Sequence, residues 1–510
     1  MHQPSRGRIF TRTARISIPG VPTVTDGGVP VLGSPVTVVG DVVYAAQFTE
    51  SKVAAAVAVT ESLCQVNNLQ AFLILLRLCG PFTRLVYLMR TTPPSQTPGC
   101  FKPADAAAIK ALQSKRLCPA SPTPPQAPHT ALAQVHLPVR SGGLGVLAAD
   151  LIHPAAYVAS YASSFSDDCR PGSPWGMSEL NLAWSQYEAS LGAQPATITK
   201  PAAADAHQSK LTAAIHKHRF DVLLGLMPNS TPEGKAERAR LLSVSAPHAS
   251  AWLGVTVPGD ALSLPNVTFL PVVQLRLGIY TLRRRPNEPC CPRTATICST
   301  PPTTPAAVYH HAIGQCTHRG SVKFRRHHAI VRELAAILDE ANWLAAVEPS
   351  NLFTNATNPA HRGLRPDLIV EDPSSQIRTC LDVCFTSPLR TDYLKKSCKE
   401  QLWAATTFAN TEKVAKYSAP CREIGSEFVA ICGEYYGGFY PPAVKFLTNL
   451  AGDWAAVHGK TKAEGTSCIF GRLSIAQQRA NGYALNSYGK MDIDLDVVQA
   501  FVHYSRTTNS

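Results

Sequence analysis

The chain has 510 residues, several times the size of an ordinary domain, so we expect more than one hydrophobic core. Its hydrophobic content of 45% and charged content of 16% are ordinary for globular protein. A formal net charge of +13 suits a polyanionic partner, because neutralised phosphates release condensed counterions, but it does not choose between DNA, RNA and an acidic membrane surface.

The N-terminus and the cysteines together indicate a reducing compartment. The first twenty residues lack the apolar core of a signal peptide. The apolar run AFLILLRLCG is shorter than the ~18 residues that span a bilayer, and it contains Arg77, so we expect no membrane contact. The 15 cysteines are therefore expected to be thiols or metal ligands. A mitochondrial transit peptide is an alternative for the basic N-terminus, although Pro19 and Pro22 would interrupt its helix.

Patterning along the chain predicts a short β-hairpin region followed by helices. Residues 16–44 alternate apolar stretches with glycine and proline turns, as strands do. From about residue 48 to residue 90, apolar residues recur at helical intervals. Proline-rich loops occupy much of 91–130, and 166–285 has a weak helical pattern.

A proline- and cysteine-rich stretch at 286–305 separates this region from a compact C-terminal domain. The expected fold class is multidomain: mostly α-helical in the N-terminal two-thirds, with a short β-hairpin region, and then α/β. The last fifty residues are polar, and we predict that they form a tail. The predicted boundaries are 1–165 for the first region, 166–285 for a helical connector, 286–320 for a Cys/His segment, 321–460 for the α/β domain and 461–510 for the tail.

Two aspartates in the α/β domain are spaced for convergence. After an amphipathic helix predicted over 325–343, Arg365-Pro366-Asp367 opens a strand, the sequence DPSSQ turns the chain, and IRTCLDVCF returns with Asp382. In such a hairpin the two carboxylates meet at one edge of the sheet. Proteins commonly hold Mg²⁺ with two carboxylates together with water and phosphate oxygens. The bound ion polarises a scissile phosphate and activates water.

Lysines follow this hairpin on a long helix predicted over 391–417. Lys413 and Lys416 lie near its end, immediately before Tyr417. A lysine there would stabilise the charge that develops on a phosphate during attack. The alternative is structural: Asp367 as a turn residue, Asp382 as a buried hydrogen-bonded carboxylate and the lysines as a solvated helix face.

Five ordered blocks carry a family resemblance. RRHHAIVREL, GLRPDLIV, LDVCFTSPL, EKVAKY and GGFYPPAVKFL resemble, over some 130 residues, the restriction-like endonuclease domain of non-LTR retrotransposon polyproteins. The resemblance implies the fold core of type II restriction enzymes, with catalytic acids at Asp367 and Asp382 and Mg²⁺ (or Mn²⁺) as cofactor. Restriction enzymes have lysine where this chain has Cys384. In the retrotransposon branch the lysine comes from a Lys-x-x-Lys-Tyr pattern, which falls on Lys413, Lys416 and Tyr417.

We expect nucleic acid to bind at basic side chains of this same domain. They are Arg325, Arg326, Arg365, Lys395 and Lys396.

Cysteines and histidines cluster just before the α/β domain. His311 and Cys316 are spaced to ligate one Zn²⁺. The same polyproteins carry a Cys-Cys-His-Cys knuckle at this place, which implies Cys291, Cys298, His311 and Cys316 as zinc ligands. This chain departs from the knuckle pattern at the first pair of cysteines, because a tight C-x-x-C after Cys291 would need a cysteine at position 294, where the chain has Thr294. A decayed knuckle or plain thiols are the alternatives.

Most of residues 25–165 resembles the region after the polymerase palm in these polyproteins, which is a strand hairpin and a helical thumb. The string from Phe165 to Asp168 fits the aromatic-x-Asp-Asp pattern of a palm, but no apolar strand follows it and it lies after the thumb-like segment. Because a polymerase needs a palm to hold two metal ions, we do not expect this chain to polymerise.

The function implied is that of a retroelement-derived nuclease that nicks target DNA, so that the new 3′ end primes reverse transcription. Its partners would be target DNA and element RNA, with no small-molecule substrate, and its location would be the nucleus. Two alternatives remain at this point: a nucleic-acid-binding remnant whose active site has decayed, and a structural protein with accidental motifs.

Overall fold

The computed structural model of the chain describes residues 27–37, 42–119, 128–163, 174–193, 207–255, 262–280, 305–315 and 320–486. The expected helical majority is confirmed: within these residues most of the chain is helical, and the strands form two small sheets. The helices are α1 (Val42–Leu63), α2 (Leu69–Cys79), α3 (Pro81–Thr91), α4 (Lys102–Ser114), α5 (Pro128–Val135), α6 (Ala149–Ser163), α7 (Pro174–Ser190), α8 (Gln208–Gly225), α9 (Pro232–Val244), α10 (Ala251–Gly254), α11 (Asn266–Leu277), α12 (Pro305–His310), α13 (Gly320–Glu340), α14 (Thr391–Ser397), α15 (Trp403–Phe408), α16 (Ala415–Glu423), α17 (Pro441–Val457) and α18 (Lys462–Asn486).

The predicted hairpin near the N-terminus consists of β1 (Gly28–Val31) and β2 (Ser34–Thr37), which pair antiparallel. A second sheet has four strands in the order β3 (Leu344–Val347), β4 (Leu368–Glu371), β5 (Arg378–Thr386) and β6 (Glu427–Glu434). The first three strands are antiparallel, and β6 runs parallel to β5. This mixed sheet is the frame on which the predicted acidic residues lie.

The turn between β4 and β5 forms where DPSSQ predicts it. The Asp372 carboxylate accepts hydrogen bonds from the Ser374 amide at 2.8 Å and from the Ser375 hydroxyl at 2.8 Å. Such local bonds satisfy backbone donors that a strand ladder would otherwise use. Gln376 then has φ +56°, which turns the chain back toward β5.

Two large cores lie side by side. The larger is helical and is built mainly from α2, α4, α5, α9 and α11. The second packs α13, α17 and α18 against the four-stranded sheet. The end of β6 joins them, since Tyr435 and Tyr436 belong to the helical core and Ile431 to the sheet core.

The segment 391–417 is not the single long helix that was predicted. The helix α14 ends at Ser397, and α15 begins only at Trp403, after Leu402 with φ +58°. Residues Ala409–Val414 then form a wider π-helical segment that leads into α16. A π segment has about one residue more per turn than an α-helix, so it changes which side chains face the sheet.

The prediction of a polar tail over 461–510 is wrong for its first part, because α18 occupies 462–486 and is buried along much of its length. The remainder of the predicted tail, 487–510, lies outside the described residues. Ile469, Phe470 and Leu473 lie in the sheet core, whereas Ile475 and Leu485 lie in the helical core. The helix therefore closes both cores.

Among the described residues, one helical stretch, 69–91, is long and apolar enough to cross a membrane by length and composition alone. It consists of two helices, α2 and α3, separated at Gly80-Pro81. Phe72, Leu73 and Leu76 of α2 are fully or almost fully buried in the helical core. Of the apolar window, 44% is buried inside the protein, so core packing accounts for part of its apolar character.

Candidate active site

A cleft of about 260 Å³ lies between β4, β5, the start of α13 and the π-helical segment. Asp367 and Asp382 both contribute to its wall, as does Lys413. The other lining residues are Lys323, Phe324, Arg326, His327, Val383, Cys384, Phe385 and Tyr435.

Strand register brings the two aspartates together. Leu368 of β4 pairs with Leu381 of β5, so the residues one step further along, Asp367 and Asp382, are neighbours across the hairpin. The Asp367 carboxylate accepts a hydrogen bond from the Val383 amide at 2.6 Å, which fixes its orientation. Asp382 is only 4% exposed, and its burial raises the pKa of the carboxyl.

Lys413 reaches the same point from the helix that follows. Its Nζ lies 2.7 Å from Oδ2 of Asp382, and its side chain is 22% exposed. Burial acts to lower the pKa of Lys413, but the Asp382 carboxylate outweighs burial and the pKa is raised. The ammonium group therefore stays charged. Cys384 also lines the cleft, so Lys413 supplies a cation close to that position from another element.

The other two residues of the Lys-x-x-Lys-Tyr pattern have different environments. Tyr417 is buried, and its hydroxyl donates to the Arg365 carbonyl at 3.0 Å, so it supports the chain just before Asp367. Burial and the neighbouring Asp382 raise the pKa of this phenol. Lys416 is exposed, and its Nζ lies 4.9 Å from the centroid of the Tyr417 ring. Lys416 does not line the cleft.

His327, which was not predicted as a site residue, holds Asp367 from α13. Its Nε2 lies 3.2 Å from Oδ1 of Asp367, and its Nδ1 lies 3.0 Å from the Val383 carbonyl oxygen. The hydrogen bond to Asp367 raises the pKa of the imidazole despite partial burial. The available signal was the histidine pair in RRHHAIVREL, but periodicity alone did not show which of the two faces the sheet.

Arg326 does not have the exposed position expected of a nucleic-acid ligand. It is 1% exposed, and it donates to the Ile313 carbonyl at 2.7 Å and to Oδ1 of Asn481 at 2.9 Å. Its guanidinium lies 4.1 Å from the centroid of the Tyr435 ring. These contacts make Arg326 a structural residue that joins α13 to α18.

The other predicted nucleic-acid ligands are exposed. Arg325 lies 4.4 Å from the centroid of the Tyr483 ring, and Arg365 forms a 2.8 Å ion pair with Glu348. Lys396 lies 5.4 Å from the centroid of the Trp403 ring, and Lys395 is on the same helix.

The zinc prediction falls mostly outside the described residues, which include neither Cys291, Cys298 nor Cys316. His311 is described and is buried in a π-helical turn, His311–Gln315. Within the described part of the chain, no three His, Cys, Asp or Glu side chains come together as a metal-binding group.

The donors in the cleft nevertheless suit a hard cation. Asp367 and Asp382 offer carboxylate oxygens, and Mg²⁺ is commonly held by one or two carboxylates together with water and substrate phosphate. The two carboxylates thus fit Mg²⁺ chemistry without a third acidic residue. Neither protein-family models nor curated proteins give a match to this chain.

Proposed function

We propose that this chain is a metal-dependent DNA endonuclease with its active site in the cleft at Asp367 and Asp382. One observation carries the proposal: two aspartates fifteen positions apart in sequence lie side by side at one cleft, with the Lys413 ammonium 2.7 Å from the second of them. Acidic pairs beside a lysine are suited to phosphodiester hydrolysis, because the reaction needs both a cation and stabilisation of developing negative charge.

Each residue has a distinct part in this proposal. Asp367 and Asp382 would hold Mg²⁺ or Mn²⁺, which polarises the phosphate and generates a nucleophile from water. Lys413 stays protonated and offers a compact positive charge to the phosphate oxygens. His327 and the Val383 amide keep the Asp367 carboxylate in one orientation. Tyr417 supports the backbone at Arg365.

The biological context follows from the family resemblance and is part of the proposal. The nuclease nicks target DNA in the nucleus, and the 3′ end then primes reverse transcription of element RNA. Exposed Arg325, Arg365, Lys395 and Lys396 supply the diffuse positive surface for DNA. Zn²⁺ bound through Cys291, Cys298, His311 and Cys316 would order the segment before α13.

A nucleic-acid-binding remnant is the second candidate, and one observation favours it. Lys413 and His327 each already contact one carboxylate, and the Lys413 ammonium partly neutralises Asp382 without any metal ion. A site that had lost catalysis would keep such pairs for stability alone.

Nicking of supercoiled plasmid by the full chain distinguishes the two candidates. With Mg²⁺ we expect nicking by the wild type and none by Asp367→Asn or Asp382→Asn, whereas all three proteins bind DNA within about threefold of one another because affinity rests on phosphate contacts outside the cleft. Isothermal titration with Mn²⁺ should show a site that Asp382→Asn loses. A wild type that binds DNA but neither nicks it nor binds Mn²⁺ is a remnant.

A further inference from the structure

Phe324 is a solvent-exposed aromatic residue in the wall of the cleft. Phe324 lines the cleft and is 64% exposed, although an apolar ring gains by leaving water. The His328 ring, one helical turn further along α13, lies nearly parallel to it, with centroids 6.3 Å apart and an interplanar angle of 19°. The two rings therefore have similar orientations, with the Phe324 ring in the cleft wall and the His328 ring beside it.

The surroundings of Phe324 select the kind of ligand. Its neighbours in sequence, Lys323 and Arg325, are both exposed, and Lys323 also lines the cleft. Cations that flank an exposed ring disfavour an apolar protein partner, but they suit a strand of phosphates that carries flat bases. A nucleotide satisfies both features, with the base on the ring and the phosphate near the cations.

The position of Phe324 relative to the proposed metal ligands is also fixed. His327 follows Phe324 by three residues on α13 and contacts Asp367 at 3.2 Å. Three residues along a helix rise about 4.5 Å, against about 3.4 Å per nucleotide along one strand of a duplex. Phe324 and the two aspartates also line the same cleft, so the base of a nucleotide next to a phosphate bound at the aspartates can reach the ring.

We propose that Phe324, together with His328, stacks on an unpaired DNA base beside the scissile phosphate, so that the enzyme acts preferentially on DNA that is locally unpaired there. In an intact duplex the faces of each base are covered by its neighbours, and unstacking one base has an energetic cost that is smallest where the base is mismatched or single-stranded. This proposal rests on the proposed nuclease function.

The test compares one DNA sequence as perfect duplex and with a short mismatch bubble around the mapped nick. We expect the wild type to nick the bubble faster than the duplex. Phe324→Ala should lower the rate on the bubble by about tenfold, in keeping with the loss of one base–aromatic stack, and should largely remove the preference. Phe324→Trp should retain it. Tyr87→Ala, which removes an aromatic ring that is 45% exposed on α3, is the matched control and should leave both rates unchanged.

A binding measurement separates this proposal from the nuclease proposal. In metal-free buffer no strand is cut, and 2-aminopurine placed in the bubble loses fluorescence when its base stacks. We expect wild type and Phe324→Trp to quench the probe, and Phe324→Ala to leave it bright at saturating protein. Quenching by a wild type that does not nick DNA would support the stacking site and contradict the proposed nuclease function. Equal loss of rate on duplex and bubble in Phe324→Ala, or quenching that survives the substitution, would overturn the stacking proposal.

Discussion

Lys413 and Lys416 are three positions apart, yet only Lys413 lies in the cleft. The π-helical segment ends at Val414, directly after Lys413, and Lys413 meets Asp382 whereas Lys416 is exposed above the Tyr417 ring. Two lysines that the sequence pattern treats alike therefore have separate chemical environments.

We accordingly expect Lys413→Ala to reduce the nicking rate by about 10²–10³-fold, the typical cost of losing one charge-stabilising donor. Lys416→Ala serves as the matched control and should retain the rate within about threefold, because an exposed cation interacts through high-dielectric solvent. Single-turnover nicking at saturating protein gives both rates. If both variants lost the same fraction of the nicking rate, the contact between Lys413 and Asp382 would not be what distinguishes Lys413 from Lys416.

The sequence predicted the acidic pair well because a hairpin converts linear spacing into position. The turn residues of DPSSQ and the apolar stretches beside Asp367 and Asp382 were enough to place the two aspartates at one edge. The sequence did not predict the positions of Arg326 and His327, because a run of four basic residues, RRHH, does not show which of them faces the protein interior on a helix. That choice depends on partners distant in sequence, Asn481 for Arg326 and Asp367 for His327.

At the scale of elements, α18 shows why composition misled the prediction of a polar tail. Several of its buried residues are polar, and two of them donate to backbone carbonyls at and just after the end of β6. The Gln477 amide donates to the Glu434 carbonyl at 2.7 Å, and the Asn481 amide donates to the Tyr435 carbonyl at 2.8 Å. Polar side chains with such partners can be buried without a large penalty, so a polar sequence can still form a core helix.

The apolar contacts of α18 can be tested with one pair of substitutions. Phe470 is 1% exposed and stacks on the His248 ring at 3.7 Å between centroids. We expect Phe470→Ala to lower the free energy of unfolding by about 3–5 kcal/mol through lost burial and the remaining cavity. Tyr483→Ala on the same helix should cost less than about 1 kcal/mol, because that ring is 43% exposed. Chemical denaturation followed by tryptophan fluorescence measures both, and similar midpoints would contradict the packing of α18.

At the scale of the whole molecule, a buried carboxyl connects the two cores. Glu434, at the end of β6, accepts a 2.5 Å hydrogen bond from the Ser243 hydroxyl of α9. Complete burial raises the pKa of Glu434 to about 7, above the model-peptide value of about 4.3. The contact between the helical and sheet cores thus contains a group that titrates near neutrality.

A raised carboxyl pKa means that the folded state holds the proton more tightly than the unfolded state. The contribution of Glu434 to stability is therefore full below pH ~4 and falls as pH rises to about 7, by roughly 3 kcal/mol in total. Glu434→Gln, which stays neutral, should lose this dependence. We expect its thermal-unfolding midpoint to fall less than that of the wild type between pH 5 and pH 8. Parallel curves for the two proteins would contradict this assignment.

The place of α18 in the chain has a consequence for synthesis. A ribosome makes this helix after every other described element, yet Ile469 and Leu473 complete the sheet core and Leu485 completes the helical core. Chains usually fold from the N-terminus as they emerge. Here neither core can close until residues beyond 480 have left the exit tunnel. The cleft at Asp367 and Asp382 is thus assembled only after translation has passed it by more than a hundred residues, and a message broken before α18 would yield a chain in which both cores stay open.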